Sequence, residues 1–447
     1  MPLRFTRRDL KALVEAMARA EEYKPWQVAK REVFRRYGIA GTQKDRVFTA
    51  MMYRAWSLQG LLDRVVAEAL GRGVEALDAY TRAAARIYAY QRLYAHREGH
   101  EDITWWMEEN LPSVLEELGG DPRLIQRLFG AVEEAFARID PVERELLVSR
   151  YIYGLVESFL GRVEARRLFE FLRSWIPPIS MRVNTLKTSV SRVVSYLRRL
   201  GLRPRVSSWV ETVVKIERGS LDPRAFRLVE EGLAVLQDDA SAAASLMLGP
   251  RRGETIVDLC AAPGGKTTHL AELARLGAHI VAFEPYPDRA AKLRENLERT
   301  GTYVAVDVVM GDGRRAPDVL GEGFADAVLV DPPCSSTGTM AKNPDVRWRL
   351  RPEELEKITR LQRELLEAAY LVAKRGGRIL YSVCSILREE GEDVVEWFLE
   401  RHRGRVKPLE PRPRLFDPSP LQPWARRAWP HRHRTSGFYY ALLVKTG

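Results

Sequence analysis

The chain has 447 residues, 45% of them hydrophobic, with a formal net charge of +11 and an isoelectric point near 9.5. That length fits two to four domains. No apolar run is long enough to span a bilayer as a helix, and the opening Met1-Pro-Leu-Arg-Phe5 lacks the apolar stretch of a secretion signal, which excludes the helical membrane proteins and sets the expectation of a soluble, cytoplasmic protein. The basic excess points to a polyanionic partner, nucleic acid first, although a generally basic surface would give the same total.

Residues 1–140 read as helix after helix. Apolar residues recur at spacings of three and four, as in Leu10, Leu13, Val14 and Met17, and Thr6 with Asp9 resembles a capping pair ahead of that run. Similar stripes predict helices over Lys44 to Ala69 and Leu77 to Tyr94. Most of these apolar positions are the core of a helical bundle, and the exposed basic residues among them are candidates for RNA contact.

Residues 141–235 are mixed. Helices are predicted over Glu143 to Leu160 and Ser189 to Leu200, and strands over Met181 to Asn184 and Thr212 to Ile216, with Pro177 and Pro178 punctuating the start. Arg192, Arg198, Arg199, Arg203 and Arg205 make a dense basic stretch, readable equally as a solvated helix face or as a nucleic-acid surface. From residue 236 the pattern becomes strand, loop, helix, repeated. Short apolar runs lie at Thr255 to Leu259, His279 to Phe283, Ala305 to Met310, Ala327 to Val330 and Ile379 to Val383. That alternation predicts an α/β fold, a doubly wound, mostly parallel sheet with helices on both faces. A last run, Phe438 to Val444, is placed to close the sheet. The expected domains are 1–140, 141–235 and 236–447.

Metal is not expected. The three cysteines, Cys260, Cys334 and Cys384, are spaced 74 and 50 residues apart, which fits neither a zinc module nor a disulfide framework. His431 and His433 form an HxH with no cysteine or carboxylate near them in sequence. His96 and His100 are four apart, but Glu98 is out of place for an HExxH motif. Four Asn and eight Gln among many Arg and Glu suit a hot habitat.

The segment richest in chemistry is Asp258-Leu-Cys-Ala-Ala-Pro-Gly-Gly-Lys-Thr267, which follows the first predicted strand of the sheet and opens a helix. Gly264 and Gly265 let backbone approach a ligand, and the helix start favours a negative group. Gly265-Lys266-Thr267 matches the end of a P-loop, but the required first glycine is Cys260, and the adjacent glycines also fail the GxGxxG spacing of dinucleotide folds. Glu284 ends the second strand, where an acid accepts hydrogen bonds from ribose hydroxyls. Asp312 ends the third, where it is placed to face an adenine amino group, and Asp331 ends the fourth. Any one of these acids is more often a turn or cap residue. Four acids at four consecutive strand ends suit a nucleoside carrying a positive charge, and S-adenosylmethionine fits.

All three cysteines also fall at predicted strand ends. A free cysteine is usually a small buried hydrophobe, a reading that suits Cys260 inside the cofactor loop better than Cys334 in Asp331-Pro-Pro-Cys-Ser-Ser or Cys384 in Tyr381-Ser-Val-Cys-Ser-Ile. A thiolate beside such a cofactor has a use. C5 of cytosine is a poor nucleophile, and a thiolate adding to C6 pushes electron density onto C5, which then attacks the sulfonium methyl. Lys266 is the candidate cation to favour the thiolate. Asp331, protonated or sharing a proton, is the candidate partner for N3 and the amino group of cytosine. Two other readings remain open here: a non-catalytic RNA-binding or assembly factor with a relic cofactor fold, and an enzyme of the same fold acting on an exocyclic amine, which would need neither thiol.

These residues resemble the Sun/Fmu (RsmB-type) family of RNA cytosine-C5 methyltransferases. The likeness rests on the Asp258 to Thr267 segment, Glu284, Gly311-Asp312-Gly313, Asp331-Pro-Pro-Cys-Ser-Ser-Thr-Gly338, Asn343-Pro-Asp-Val-Arg-Trp348 and Ser382-Val-Cys-Ser-Ile386. Gln237-Asp-Asp-Ala-Ser241, Arg182-Val-Asn184 and Thr435-Ser-Gly-Phe-Tyr439 add to it, over about residues 145–447. Gln43-Lys-Asp-Arg46 and Ala83 to Tyr94 are similar, more weakly, to the NusB-like helical domain of several members. The resemblance implies a Rossmann-like methyltransferase sheet preceded by a small α+β RNA-binding domain and an all-α NusB-like domain. It implies S-adenosylmethionine as cofactor and ribosomal or transfer RNA as partner, with a monomer as the default. It assigns the nucleophile to Cys384 and product release to Cys334, with Asp331 and Lys266 beside them. Cofactor contacts fall on Cys260, Ala261, Ala262, Pro263, Gly264, Gly265, Lys266, Glu284, Asp312 and Asp331. Three departures are Val383 where Thr often precedes the nucleophile, Pro332 where Ala is common, and Ser436 in place of an Asp before Gly-Phe.

Overall fold

The computed structural model describes residues 5–22, 26–95, 103–217 and 223–447; His96, Glu98 and His100 lie outside them. The chain divides into two compact units, one of residues 1–153 with 347–349 and one of residues 154–346 with 350–447. The described residues of the first unit form helices around one apolar core. Thr6 and Asp9 cap its first helix reciprocally: the Thr6 amide donates to Asp9 Oδ2 at 2.7 Å and the Asp9 amide to Thr6 Oγ1 at 3.3 Å. Two predicted helices are broken. The stretch from Lys44 to Ala69 is split at Leu58 into Gln43–Ser57 and Gln59–Leu70. The stretch from Glu143 to Leu160 is split into Pro141–Leu146 and Arg150–Leu160, with Leu147 turned to a φ of 55°. Apolar periodicity runs through both breaks, so it does not reveal them.

In the second unit, β1 (Ile179–Val183), β2 (Pro204–Val206), β3 (Val213–Ile216) and β4 (Ala234–Leu236) form a small antiparallel sheet in the order β2-β3-β1-β4. Helices Val190–Arg199 and Pro223–Glu230 accompany it over a core that includes Met181, Val183, Val214, Val193 and Leu197.

The large sheet holds β5 (Thr255–Asp258), β6 (His279–Phe283), β7 (Val306–Val309), β8 (Ala325–Val330), β9 (Ala373–Val383), β10 (Val406–Leu409), β11 (Asp417–Pro418), β12 (Arg426–Ala428) and β13 (Phe438–Lys445). Its order is β11-β12-β13-β9-β8-β5-β6-β7, with β10 also on β13. The five strands β7, β6, β5, β8 and β9 run parallel to one another. Their side chains alternate between two cores: Val257, Phe283, Val330 and Tyr381 belong to one face, Ile256, Ala282, Leu329 and Leu380 to the other. Burial on both faces is why these strands read as continuous apolar runs rather than alternating ones. Two expectations need correction. The run at Phe438 does not close an edge: β13 lies inside the sheet, antiparallel between β9 and β12. And β9 begins at Ala373, not Ile379, because Gly376, at a φ of 80°, carries the chain through an irregularity in the β8–β9 register instead of ending it.

The strand order reverses between β5 and β8, so the loops leaving the carboxyl ends of these strands diverge and leave a crevice there. The small sheet is tied to the helix that follows β5 (Gly265–Leu273) by a fully buried guanidinium. Arg182 of β1 pairs with Glu272, and donates to Gln237 Oε1 at 2.7 Å, to Thr268 Oγ1 at 3.0 Å and to the Gly265 carbonyl at 3.4 Å. Glu272 in turn accepts from the Thr185 amide at 2.9 Å. Removing one partner of a buried pair leaves the other charge without compensation. Arg182→Ala is expected to lower the stability of this unit by about 3–5 kcal/mol, read as a fall in the urea midpoint; a loss within about 0.5 kcal/mol, the range of an ordinary surface substitution, would show that the bridge is not what joins the two sheets.

Candidate active site

The loop from Asp258 to Lys266 leaves β5 and turns into the helix Gly265–Leu273. Gly264 makes the turn at a φ of 103°, and a Cβ there would lie 2.7 Å from Leu293. The loop is fastened from outside by its carbonyls: Arg289 donates to Ala262 O at 2.9 Å and Asn296 to Pro263 O at 2.6 Å. Ahead of it lies a cleft of about 360 Å³ whose lining includes Cys260, Ala262, Glu284, Asp312, Asp331 and Cys334. Ala261, Pro263, Gly264, Gly265 and Lys266 shape the loop behind that wall rather than lining the cleft.

Three of the four strand-end acids reach the cleft. Glu284 is buried and caps the turn after β6, accepting from the Tyr286 amide at 3.1 Å, with Arg289 at 3.4 Å. Asp312 is half-buried and gripped by the Arg314 guanidinium at 2.5–3.1 Å, whose hydrogen bonds hold its carboxyl below the usual range. Asp331 ends at the cleft beside the cysteines. The fourth acid points elsewhere. Asp258 is buried inside its own loop, where it accepts from Thr267 Oγ1 at 2.8 Å and the Cys260 amide at 3.3 Å. Burial, with Asp331 close by, pushes its carboxyl up to about 6. Asp258 is therefore a loop-closing residue. Cys260 is a neutral wall of the cleft, its thiol pushed well up by burial and by the surrounding carboxylates.

The four residues expected to act together do meet. Lys266 Nζ donates to Asp331 Oδ2 at 2.6 Å, and Ser382 Oγ to Asp331 Oδ1 at 3.2 Å. Burial alone would lower the Lys266 pKa, but the Asp331 charge and hydrogen bond reverse that and hold the ammonium above its ordinary value. The Phe438 ring centroid lies 5.3 Å from the same Nζ. Cys384 Sγ lies 2.8 Å from Cys334 Sγ, both half-buried, and each is 3.8 Å from Ser336 Oγ. The hydrogen bond to Cys384, then burial, pushes the Cys334 thiol well up.

Several residues that hold this geometry were not singled out from sequence. Glu390, fully buried, ties the two cysteine loops together: it accepts from the Ser335 amide at 2.8 Å, from Ser335 Oγ, from Ser385 Oγ at 2.5 Å and from Gln362 Nε2 at 3.0 Å. In sequence it is one of two adjacent glutamates ahead of a helix, indistinguishable from a capping acid. Gly338 lies against the Gly437 backbone, where a Cβ would be 1.9 Å from a carbonyl oxygen, and donates its amide to Cys384 O at 3.0 Å. Ser436 donates to buried Asp238, which Lys342 also holds. An aspartate at that position would set a second carboxylate against Asp238. Finally, the fold brings carboxylates to the HxH pair: His431 contacts Glu164 at 2.8 Å and His433 contacts Asp417 at 3.3 Å. They are separate pairs, and among the described residues no cluster of three metal-ligating side chains forms. No helix among them is long and apolar enough to cross a membrane.

Residues 245–444 match the family model described as 16S rRNA methyltransferase RsmB/F. Over 272 residues the chain is 33% identical to a protein of Yersinia enterocolitica named ribosomal RNA small subunit methyltransferase B; the match spans 60% of this chain and 60% of that relative's length. The solved structure titled PH0851 is 36% identical, covering 99% of this chain and 100% of that one with a TM-score of 0.83. A methyltransferase homolog from Pyrococcus horikoshii is 29% identical, covering 69% of this chain and all of its own, with a TM-score of 0.60.

The buried carboxyl of Asp258 yields a pH test. Its folded pKa, about 6, lies above the ordinary 3.8. Its contribution to stability is therefore fully present below about pH 4 and is lost as pH rises through 6. Asp258→Asn removes this dependence. Between pH 4 and pH 7 the stability of the variant is expected to gain on that of the native chain by roughly 3 kcal/mol, measured as paired urea midpoints; a difference that stays constant over that range would refute the assignment.

Proposed function

Because the chain belongs to the RsmB/F family of rRNA methyltransferases, we propose that it is an S-adenosylmethionine-dependent methyltransferase that forms 5-methylcytidine in small-subunit ribosomal RNA. The observation that carries the chemistry is the pair of thiols 2.8 Å apart, set beside the Lys266–Asp331 pair at the edge of the cleft. The choice of ribosomal RNA leans on the name of the Yersinia relative.

The cleft suits the cofactor. Glu284 offers a carboxylate for ribose hydroxyls, Asp312 one for an adenine amino group, and the acids together favour a sulfonium cation. When bound, S-adenosylmethionine supplies an electrophilic methyl group. Cys260 and Ala262 of the loop form the wall against which it would rest, with Ala261 and Pro263 to Lys266 shaping the loop behind them.

Cys384 is the nucleophile in this reading. The Cys334 thiol lies 2.8 Å away, and the Lys266 ammonium places a positive charge nearby, the kind of neighbour a nucleophilic thiolate needs. The thiolate forms a bond to C6 of cytosine and the electron pair of the C5–C6 double bond moves onto C5 and into the ring. Asp331 faces N3 and the amino group, and the proton it shares with Lys266 meets the charge that builds on N3. C5 then takes the methyl. Release requires a base to take the C5 proton, whose bonding pair re-forms the C5–C6 double bond as the Cys384 Sγ–C6 bond breaks and its pair returns to the thiolate. Cys334 is assigned to that release step.

The direct test incubates native and variant chains with unmodified small-subunit rRNA and labelled methyl donor, followed by nucleoside analysis. Label is expected in 5-methylcytidine for the native chain and at least a thousandfold less for Cys384→Ala, the order of loss when a covalent nucleophile is removed. Cys334→Ala is expected to accumulate a covalent protein–RNA complex that survives denaturing electrophoresis. Label in another nucleoside would sink the cytosine-C5 assignment, and a Cys334→Ala chain that turns over freely would remove Cys334 from release.

A further inference from the structure

The second unit has another cleft, of about 490 Å³, away from the cysteines. It lies along helix Val190–Arg199 and the end of helix Pro223–Glu230, and its polar lining includes Arg192, Ser191, Ser195, Tyr196 and Arg199 from the first helix and Arg227 from the second. One carboxylate, Glu231, stands against the three guanidinium groups. Arg192, Arg199 and Arg227 are exposed, and among the described residues none of them has an acidic partner, whereas neighbouring Arg205 pairs with Glu217 at 3.3 Å.

A solvated helix face does not account for this arrangement. Arg199 and Arg227 sit in last turns, where a cation suits the helix dipole. Arg192 sits in a first turn that contains no acid, where a cation opposes the dipole and costs stability. A local conflict of this kind marks a position kept for a partner. The spacing also limits the partner's shape. Arg192 and Arg199 are seven residues apart, about 10 Å along the helix axis, wider than a single phosphate. Ser195 and Tyr196 lie between them on the helix and Ser191 next to Arg192, the side-chain types that join arginine in contacting phosphate oxygens.

The cleft is also fixed to the catalytic sheet. Lys187 donates to the carbonyls of Glu231 at 3.3 Å and Arg299 at 2.7 Å, and Asn184 to those of Gly232 and Thr300 at 2.9 Å each. Arg299 and Thr300 end the helix Pro287–Thr300 that follows β6, the strand whose end carries Glu284. A polyanion held in the cleft is thereby held at a constant offset from the thiols.

We propose that this cleft binds the sugar–phosphate backbone of the RNA substrate, with Arg192, Arg199 and Arg227 each neutralising a phosphate and fixing the strand's register relative to Cys384. The inference rests on the proposed RNA methyltransferase reading. The three arginines are positioning residues and touch no reacting atom.

The test measures equilibrium binding of in vitro transcribed, unmodified small-subunit rRNA to the full chain at several salt concentrations, without methyl donor. Each backbone contact to a single strand contributes about 0.7 to the slope of log affinity against log salt. The triple variant Arg192→Ala, Arg199→Ala, Arg227→Ala should therefore lose about 2 from that slope and at least roughly tenfold in affinity near 0.15 M salt. Replacing the same three by Lys should restore most of the slope, and cofactor binding should be unchanged in both variants, which checks folding. In turnover assays KM for RNA should rise while kcat at saturating RNA stays within about twofold. A triple Ala variant with native slope and affinity overturns the proposal. So does a triple Ala variant whose loss is fully reproduced by Arg251→Ala, Arg252→Ala and Arg275→Ala elsewhere in the unit, since that would be an effect of total charge. RNA binding that responds as described in a chain that never forms 5-methylcytidine would leave this cleft standing and remove the proposed reaction.

Discussion

Lys266 and Asp331 come from different strands and meet across the point where the sheet reverses its order. Lys266 opens the helix after β5, and Asp331 follows β8. Their 2.6 Å ion pair closes the two loops over the carboxyl edge of the sheet. Both are withdrawn from solvent, Lys266 more so, and a lone ammonium there would be driven to lose its proton. The partner keeps the charge in place. The pair is therefore a structural tie and a fixed positive charge at once, and the cysteine loops are arranged around it: Ser382, two residues before Cys384, donates to the free oxygen of Asp331, and Cys334 follows Asp331 by three residues.

Two further buried charges carry that order outward. Glu390 gathers four donors from three segments, so the loops bearing Cys334 and Cys384 cannot separate without leaving a carboxylate bare in the core. Arg182 does the same between β1 and the start of the cofactor-loop helix. Such groups add little net stability over well-packed apolar residues. Their effect is to make one arrangement far better than its neighbours, which is what two thiols at contact distance require.

Much of this was legible in the sequence, for identifiable reasons. Strands buried on both faces announce themselves as apolar runs, and β6 was read to the residue, His279 to Phe283. Acids and cysteines placed just after such runs must lie at one edge of a parallel sheet, so the meeting of Cys334, Cys384, Asp331 and Lys266 could be anticipated. What sequence did not show was direction and partner. Asp258 and Glu284 both end strands, yet one turns into its loop and the other lines the cleft, a difference set by Thr267 and the Cys260 amide. The breaks at Leu58 and Leu147 interrupt stripes that remain periodic across them. Gly376 and Gly377 lie ahead of the predicted strand at Ile379 and are an irregular part of β9. Glu390 has no local signature because its four donors come from three separate segments of the chain.

The formal charge of +11 is less informative than its distribution. Some of the arginines are taken up internally: Arg182, Arg427 and Arg86 are buried against Glu272, Glu392 and the Asp63–Glu21 pair. The cleft beside the thiols carries Glu284, Asp312 and Asp331 on its walls, each next to a cation (Arg289, Arg314 and Lys266), whereas the second cleft of the same unit sets three arginines against one carboxylate. In the proposed reaction the excess of unpaired cation lies at the second cleft, where a phosphate backbone gains most. The ion-paired acids beside the thiols offer a phosphate no such excess, while a neutral base extruded from the strand needs none. A backbone anchored at the arginines and a base admitted beside the thiols would together present C6 to Cys384, with the phosphates remaining outside.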